Sequence, residues 1–365
     1  MTLQLGLVGL PNVGKSTLFN ALTLAGAAVA NYPFTTISPN VGIVPIPDER
    51  LQRIAEIIQP ERIVPATLRV VDIAGLVRGA SKGEGLGNQF LAHIRDVDAI
   101  VMVVRCFADE TVPHVTSYLD PVEDIETIEL ELALADLAVM ERHLEQVKAR
   151  AKSRPKDFEE EIAVNERVIA ALRAGRPLRQ LSLEESEREF LKGVALLTIK
   201  PCLYVANVSE SELPEGGPLA QKVREKAASQ GIETIVLCAP LEAELATWEA
   251  AEAKSYLAQV GLSASSLERL IWAGYRLLDY VTFFTTTGGR EVRAWTLRRG
   301  QTAIQAAASI HSDMERGFIR AEVVAYEDLI TAGTLTRARE LGRLRLEGRD
   351  YVVQDGDIIH IRFAV

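Results

Sequence analysis

The chain has 365 residues, of which 48% are hydrophobic and 25% are charged, and its formal net charge is −10. This length exceeds what one hydrophobic core usually covers, so we expect two or three domains. The composition is that of a soluble globular protein and excludes extensive disorder. No apolar run approaches the ~18 residues of a membrane span. A strand-like segment already begins at Leu3, which leaves no room for a leader, so we predict a cytoplasmic protein.

Charge and cysteine usage narrow the classes of partner and cofactor. The negative net charge argues against general adhesion to nucleic acid, and we expect neither DNA nor a membrane as a partner. Cys106, Cys202 and Cys238 lie in or beside apolar runs, are odd in number and lack metal-ligand spacing. We interpret them as reduced core residues.

The first strand-like segment is followed by a glycine-rich turn, Gly9-Leu10-Pro11-Asn12-Val13-Gly14-Lys15-Ser16, and then by a helical stretch. This order and spacing are those of a phosphate-binding loop. Gly9 and Gly14 let the backbone curl so that N–H groups point at the phosphates, and the helix dipole favours the same anions. Lys15 would reach the β- and γ-phosphates, and Ser16 would ligate Mg²⁺. The predicted nucleotide contacts in this loop are Asn12, Val13, Gly14, Lys15, Ser16 and Thr17.

A second acid and a γ-phosphate sensor follow farther along the chain. The strand-like residues 67–71 end in Asp72-Ile73-Ala74-Gly75. A carboxylate at the end of this strand would lie near the metal, and the N–H of Gly75 can meet the γ-phosphate. In the preceding polar segment, Thr36 is favoured over Thr35 as a further hydroxyl ligand. The predicted metal ligands are therefore Ser16, Thr36 and Asp72, and Lys15 and Gly75 join the catalytic set.

Residues 78–90 carry a glycine at nearly every other position late in the run. Such density favours a mobile loop, because glycine has the largest conformational freedom. Its place directly after residues 72–75 predicts a nucleotide switch that the γ-phosphate orders. A structural glycine-rich linker is the alternative.

Residues 121–154 have an almost continuous helical pattern, and Arg154-Pro155 breaks it before a second helical run over 158–172. The apolar spacing predicts an antiparallel helical hairpin that projects from the main domain. A helix pair within the core is the alternative. The hairpin's apolar positions are Leu130, Leu134, Leu137 and Leu144. Basic residues near its tip could contact a phosphate-rich surface or form a solvated cap, and these are Lys148, Arg150, Lys152, Arg154 and Lys156.

The final part of the chain, from residue 279, alternates like β-structure. Residues 282–285 and 292–297 are predicted strands, 302–311 a helix, and 351–361 a hairpin around a glycine-containing turn. This β-β-α-β-β order is ubiquitin-like. The segment holds twelve Arg, no Lys and twelve acidic residues. We favour arginines that pair with neighbouring acids over a dedicated phosphate-contacting face.

The motifs at 9–16, 72–76 and 79–90 together resemble the Obg-related branch of translation-factor-type GTPases. With Pro33-Phe34-Thr35-Thr36 and the C-terminal pattern, the whole chain is similar to the YchF, or Obg-like ATPase, family. The resemblance implies an α/β fold: a GTPase-like P-loop NTPase domain, an inserted antiparallel helical hairpin and a C-terminal β-grasp (TGS) domain. We expect the boundaries 1–120 with 195–278, 121–194, and 279–365. The TGS resemblance also implies contact with RNA or the ribosome.

Two departures from ordinary GTPases bear on the reaction, and the first concerns water. Leu76 stands where Ras-like enzymes place the glutamine that orients the attacking water, so we expect slow intrinsic hydrolysis. His114, in the loop after strand-like residues 99–104, lies on the phosphate side of the sheet, and the resemblance supports it as the replacement. A surface histidine is the alternative. Asn12 resembles the asparagine by which relatives hold K⁺, so the resemblance implies K⁺ stimulation.

The second departure concerns the base. Strand-like residues 202–206 lead into Asn207-Val208-Ser209-Glu210, where guanine-specific enzymes have Asn-Lys-x-Asp. The longer Glu210 spoils the acidic contact to guanine, and adenine has no donor at N1 that an acid could accept from. We expect Glu210 to turn outward and leave Asn207 and the backbone near Val208 to bind adenine. The resemblance likewise implies a preference for ATP.

These patterns predict a Mg²⁺-dependent P-loop nucleoside triphosphatase that hydrolyses ATP, and GTP less well. It would act as a nucleotide-dependent switch that binds the ribosome or RNA. Two alternatives stay open: a ribosome- or RNA-binding adaptor with incidental slow hydrolysis, and a conventional GTP-specific GTPase.

Overall fold

The computed structural model describes residues 4–30, 36–38, 40–73, 86–109, 112, 118–191, 193–262 and 264–364. Strands and helices alternate through the first part of the chain. In chain order these elements are β1 (Gln4–Val8), α1 (Lys15–Ala30), β2 (Thr36–Ser38), β3 (Val41–Pro45), α2 (Glu49–Ile58), β4 (Arg62–Val64), β5 (Thr67–Asp72), α3 (Leu86–Asp96) and β6 (Ala99–Arg105).

A helical segment then separates β6 from the next strand, and strands and helices alternate again after it. The helical segment contains α4 (Pro121–Ala151), α5 (Glu159–Arg173) and α6 (Glu185–Phe190). The resumed part contains β7 (Cys202–Asn207), α7 (Gly217–Gln230), β8 (Thr234–Leu237), α8 (Ala239–Leu245), α9 (Ala250–Gln259) and α10 (Ser266–Leu277). The C-terminal part contains β9 (Tyr280–Thr287), β10 (Glu291–Arg298), α11 (Ala303–Ile310), α12 (Ser312–Arg316), β11 (Phe318–Val324), α13 (Tyr326–Ala332), α14 (Leu335–Glu340), β12 (Arg345–Glu347) and β13 (Ile358–Phe363).

Seven strands form the first sheet in the order β2-β3-β5-β1-β6-β7-β8. The five strands from β5 to β8 are parallel, while β3 runs antiparallel to β5 and β2 antiparallel to β3. Every residue of β6 and β7 is buried, as expected for central parallel strands covered on both faces. The carboxyl ends of β1, β5 and β7 therefore meet at one edge of this sheet, where ligands of α/β proteins bind. The predicted α/β fold is confirmed.

The predicted antiparallel hairpin is present as α4 and α5. Asp120 caps α4 by accepting a hydrogen bond from the Val122 N–H at 3.0 Å, and Pro121 occupies the first helical turn. Ion pairs across the two helices fix their antiparallel direction: Lys148 with Glu166 at 2.7 Å, Arg150 with Glu161 at 2.9 Å, and Arg173 with Glu141 at 2.6 Å. Two of the five basic residues predicted near the tip are thus paired with acids on the hairpin itself.

The apolar seam of α4 differs in part from the predicted one. Leu137 and Leu144 pack with Ala133 and Met140 in the cluster shared with α5. Leu130 and Leu134, in contrast, are 52% and 42% exposed. The packed positions 133, 137, 140 and 144 follow one another in steps of four, three and four residues. Ala133, although small, occupies one of these buried positions. Leucine count alone therefore indicated the wrong face for two positions.

Buried polar contacts attach the root of the hairpin to the segment that leads into β7. Asp136 is fully buried and accepts hydrogen bonds from the N–H groups of Leu197 and Thr198, both at 2.8 Å, and from the Thr198 hydroxyl at 2.6 Å. Burial raises the pKa of Asp136, and these three donors oppose that shift. Glu129 of α4 accepts a hydrogen bond from the buried Tyr204 hydroxyl of β7 at 2.9 Å. The hairpin is therefore fastened to the strand that carries Asn207.

The second sheet has the order β12-β11-β13-β9-β10-β4. The β9–β10 hairpin, the following α11 and the central β13 agree with the predicted pattern, since β13 pairs parallel with β9. The hairpin predicted over residues 351–361 is wrong. Only its second half is a strand, and Val352 instead forms an isolated bridge with Thr302. The strands β11 and β12 were not predicted at all.

Strand β4 lies between β3 and β5 in the chain, yet it extends the second sheet through parallel pairing with β10. Nearby, Arg50 of α2 contacts Asp48 at 2.8 Å and Asp355 at 2.7 Å, and its guanidinium lies over the Phe284 ring. Phe284 belongs to the same apolar cluster as the core of the first sheet. The two sheets consequently share one hydrophobic core along this contact.

The remaining composition-based expectations concern cysteines and membrane spans. Cys106, Cys202 and Cys238 are free and buried, as predicted, and burial raises the pKa of the Cys202 thiol to about 12. Across the described residues, none of the helices combines the length and apolar character needed to span a bilayer.

Candidate active site

The glycine-rich turn between β1 and α1 is shaped by close backbone approaches. A Cβ at Gly9 would lie 2.7 Å from the carbonyl oxygen of Val103 and 2.8 Å from Val13 Cγ2. Gly14 has φ of +89°, and Asn12 has φ of +62°, a conformation that asparagine adopts more readily than most residues. Val13 is buried and anchors the turn. The sequence therefore forms a compact loop that ends on the first turn of α1.

Three predicted residues converge where this loop meets β5. Leu7 of β1 pairs in register with Asp72, which sets the carboxylate beside the loop. Lys15, only 8% exposed, donates a hydrogen bond from Nζ to Asp72 Oδ1, and Ser16 Oγ donates to Asp72 Oδ2 at 2.8 Å. An ammonium, a hydroxyl and a carboxylate thus meet at the N-terminus of α1, which is an arrangement that can bind an anion together with a cation.

Asn207 joins the loop from two strands away. It is 1% exposed, and its Nδ2 donates to the carbonyl oxygen of Val13 at 2.9 Å, while its Oδ1 accepts from the Ala239 N–H at 2.9 Å. A Cβ at Gly14 would lie only 2.2 Å from the same Nδ2. The Val208 N–H donates to the Leu237 carbonyl at 2.9 Å. Asn207 therefore clamps the phosphate-binding loop to the loops after β7 and β8.

Glu210 points to a partner outside this clamp. Its Oε1 accepts a hydrogen bond from the hydroxyl of Tyr256 on α9, and this bond raises the pKa of Tyr256. The Trp248 ring packs edge-on against Tyr256, with ring centroids 5.5 Å apart. The carboxylate is therefore occupied by a phenol. The sequence predicted that Glu210 turns outward but gave no indication of Tyr256, because the contact joins residues 46 positions apart and depends on tertiary packing.

Arg105 is a further residue at this edge of the sheet that was not predicted. Its guanidinium is buried and donates to the carbonyl oxygens of Phe107 at 3.1 Å, Asp109 at 3.2 Å and Val112 at 2.9 Å. It also lies over the Phe107 ring. These bonds shape the start of the loop after β6. A single arginine at the end of an otherwise apolar strand was the signal in the sequence that could have revealed it.

The structure gives less information on the other predicted site residues. Thr17 is half-buried in α1, and Thr36 begins β2. Gly75, Leu76 and His114 lie outside the described residues, as does most of the glycine-rich segment. The catalytic roles of Gly75 and His114 and the metal contact of Thr36 therefore stay predictions.

Comparisons with known proteins find related sequences over the whole length of the chain. A family model described as 50S ribosome-binding GTPase matches residues 4–143. The C-terminal YchF-GTPase model, described as a protein of unknown function, matches residues 280–364. The protein named Ribosome-binding ATPase YchF from Bacillus subtilis (strain 168) is 52% identical, and its counterpart from Escherichia coli O157:H7 is 49% identical, with full coverage of both chains in each case.

A solved structure extends the likeness from sequence to coordinates. The Schizosaccharomyces pombe YchF GTPase is 37% identical, with a TM-score of 0.90 over 99% of this chain and 98% of that one. A phosphate-binding loop fastened by Asn207, followed by a C-terminal sheet of the YchF type, is therefore accompanied by full-length identity near one half. The chain belongs to the YchF family of P-loop NTPases.

Proposed function

We propose that the chain is a Mg²⁺-dependent nucleoside triphosphatase that prefers ATP and binds the ribosome in a nucleotide-dependent manner. The observation that carries this proposal is the convergence of Lys15, Ser16 and Asp72 at the N-terminus of α1. The relatives' name, Ribosome-binding ATPase YchF, supports both the nucleotide and the partner. Such a protein would work in the cytoplasm, where ribosomes and ATP are found.

The residues present fit Mg²⁺. The Ser16 hydroxyl and the Asp72 carboxylate, from two different elements, lie 2.8 Å apart. Mg²⁺ prefers oxygen ligands and is usually held by one or two protein groups together with substrate phosphates. Thr36 is the third proposed ligand. When bound, Mg²⁺ would neutralise charge on the phosphate oxygens. K⁺ held near Asn12 is a further proposal from the family resemblance.

Catalysis in this site would be mainly electrostatic. The backbone N–H groups of residues 12–17, the N-terminus of α1 and the Lys15 ammonium would stabilise charge that develops on the transferred phosphoryl group. The N–H of Gly75 would add one more donor. The attacking water needs a separate partner because Leu76 cannot hydrogen-bond it, and His114 is the proposed one.

The preference for ATP is supported by the contacts of Glu210. An acid at this position in GTPases accepts hydrogen bonds from the guanine edge, but here Tyr256 already donates to that carboxylate. A bound guanine would have to compete with the phenol, whereas adenine presents no N1–H and needs no acid. Asn207 holds the two loops with its Nδ2 and Oδ1, and the Val208 N–H is bonded to the Leu237 carbonyl. Both residues would then act on the base by fixing the loops after β7 and β8 against which it lies.

Tyr256→Phe should shift the selectivity toward GTP. Loss of the phenol hydroxyl frees the Glu210 carboxylate to accept hydrogen bonds from the guanine edge, and a hydrogen bond to a charged acceptor is stronger than one to a neutral acceptor. We expect the ratio of the GTP Kd to the ATP Kd to fall by about tenfold in calorimetric titrations with Mg²⁺. The double variant Tyr256→Phe/Glu210→Ala is the matched control, since it lacks the carboxylate and should show the wild-type ratio or a stronger ATP preference. An unchanged ratio in Tyr256→Phe would contradict this account.

Co-sedimentation with ribosomal subunits tests the proposed function as a whole. We expect different bound fractions with a non-hydrolysable ATP analogue and with ADP, and ribosome-stimulated ATP hydrolysis. Equal binding in both states with unstimulated turnover would favour an adaptor. A strong preference for GTP over ATP would favour a conventional GTPase.

A further inference from the structure

One face of the second sheet carries a concentration of arginine that has little acid to balance it. Strands β11 and β13 are antiparallel, with Arg320 directly opposite Arg362 and Glu322 directly opposite His360. Directly opposed residues of an antiparallel pair project from the same face, and so do residues two apart on one strand. All four side chains therefore share one face. Arg339 of α14 reaches the same place, with Nη2 3.7 Å from Glu322 Oε2. We call Arg320, Arg339, Arg362 and His360 the arginine cluster.

Among the described residues of this face, the three guanidinium groups of the arginine cluster adjoin one carboxylate, that of Glu322. Arg362 donates to Glu322 from Nε at 3.0 Å and from Nη2 at 3.2 Å, and these bonds lower the pKa of Glu322. Within the described part of the chain, Arg320 makes neither an ion pair nor a side-chain hydrogen bond. The pKa of His360 is lowered by burial and by Arg362, so the cluster already disfavours another cation. The uncompensated charge therefore belongs mainly to Arg320 and Arg339.

Most other arginines of the C-terminal part have acids of their own, in agreement with the pairing expected from the sequence. Examples are the pairs Arg299 with Asp279, Arg316 with Asp313, Arg337 with Glu340 and Arg343 with Asp328. The arginine cluster is different because it opposes like charges across two strands, which destabilises a sheet. Positions where a chain breaks a local rule of stability are typical of functional sites.

We propose that the arginine cluster binds phosphate groups of an RNA backbone. This inference rests on the proposed function, because it assigns the ribosome-binding role to a surface. Guanidinium groups form paired hydrogen bonds with phosphate oxygens and bind them better than ammonium groups at such sites. Three of them around one acid would hold adjacent phosphates of one strand.

The chemistry of the face favours RNA over an acidic protein. Protein–protein interfaces have an apolar centre depleted of charge, whereas interfaces with nucleic acid are polar and positive. Leu346 of β12 pairs in register with Glu322, and its side chain is 58% exposed. It is a single exposed apolar residue beside the charged side chains. Toward the other end, Val324 and Ile358 are buried in the main apolar cluster together with Leu329 of α13. The uncovered part of the face is therefore charged rather than apolar.

The test compares the full chain with Arg320→Ala/Arg339→Ala, which removes the two arginines that carry the uncompensated charge, in binding to intact ribosomal subunits and to protein-free ribosomal RNA. Each phosphate contact contributes about one unit to the slope of log K against log salt concentration. We expect the double variant to lose at least about tenfold in affinity for both targets and about two units of slope. The matched control, Arg299→Ala/Arg316→Ala, removes arginines that have their own acids and should change the slope little.

Arg320→Glu separates binding from folding. It creates an opposite-charge pair with Arg362, so its thermal midpoint should equal or exceed that of the wild type while RNA affinity falls.

Unchanged slopes in the double variant, or equal losses in the control, would overturn the proposal. Loss on subunits without loss on protein-free RNA would also overturn it, because the partner would then be a protein. If the unmodified chain bound neither target, the proposed function itself would fail, which is a different result from normal binding by all variants.

Discussion

Lys15→Met should reduce the rate of ATP hydrolysis by about 10²–10³-fold at saturating Mg²⁺, because removal of one preorganised charge from a phosphoryl-transfer site has an effect of this size. The methionine keeps much of the aliphatic volume of the buried side chain. Asp72 keeps its hydrogen bond from Ser16 at 2.8 Å, so the metal-binding pair should persist. Single-turnover hydrolysis of ATP measures the effect on the chemical step, and calorimetry measures the effect on ATP binding separately.

Lys254→Met is the matched control, because Lys254 is an exposed residue of α9 outside the site. Exposed charges contribute little on their own, so hydrolysis by this variant should equal that of the wild type. A Lys15→Met enzyme that hydrolysed ATP within threefold of the wild type would show that Lys15 does not stabilise the transition state. The convergence of Lys15, Ser16 and Asp72 would then serve binding alone.

The central part of this site could be predicted because its residues follow strands. Gly14, Asp72 and Asn207 come at or after the ends of β1, β5 and β7 in the parallel part of one sheet, so their loops meet at one edge whatever the chain does elsewhere. Period and length likewise sufficed for the α4–α5 hairpin. The local sequence pattern predicts the loop residues and the hairpin because each of them depends on its own segment and on the order of the strands in the sheet.

Other features depend on contacts between distant segments and had no local signal. Strand β4 is three residues long and is a strand only because β10 pairs with it. Tyr256 acquires a role from Glu210, which lies 46 positions earlier in the chain. The hairpin expected over 351–361 failed because β13 found partners in β9 and β11 rather than in the preceding residues. Tertiary pairing overrides local turn preference at such places.

Asn207→Ala should weaken ATP binding by more than tenfold and lower the thermal midpoint by several degrees. The substitution removes two buried hydrogen bonds of 2.9 Å and leaves the Val13 carbonyl and the Ala239 N–H without those partners. Each buried group left unsatisfied costs about 1–3 kcal/mol, and about 1 kcal/mol shifts the midpoint by roughly 2–4 °C in domains of this size. Calorimetric titration with Mg²⁺-ATP and a thermal unfolding curve measure the two effects.

Gly14→Ala should reproduce the binding defect by a different route, since its Cβ would lie 2.2 Å from Asn207 Nδ2 and its φ is +89°. Both changes break one contact, so the double variant should bind ATP about as weakly as the weaker single variant. Gly231→Ala is the matched control: its φ is +68°, but no atom lies within 4 Å of the added Cβ. It should lose stability through backbone strain and keep its ATP affinity. Additive losses in the double variant, or an equal affinity loss in Gly231→Ala, would mean that the clamp does not hold the loop in its binding conformation.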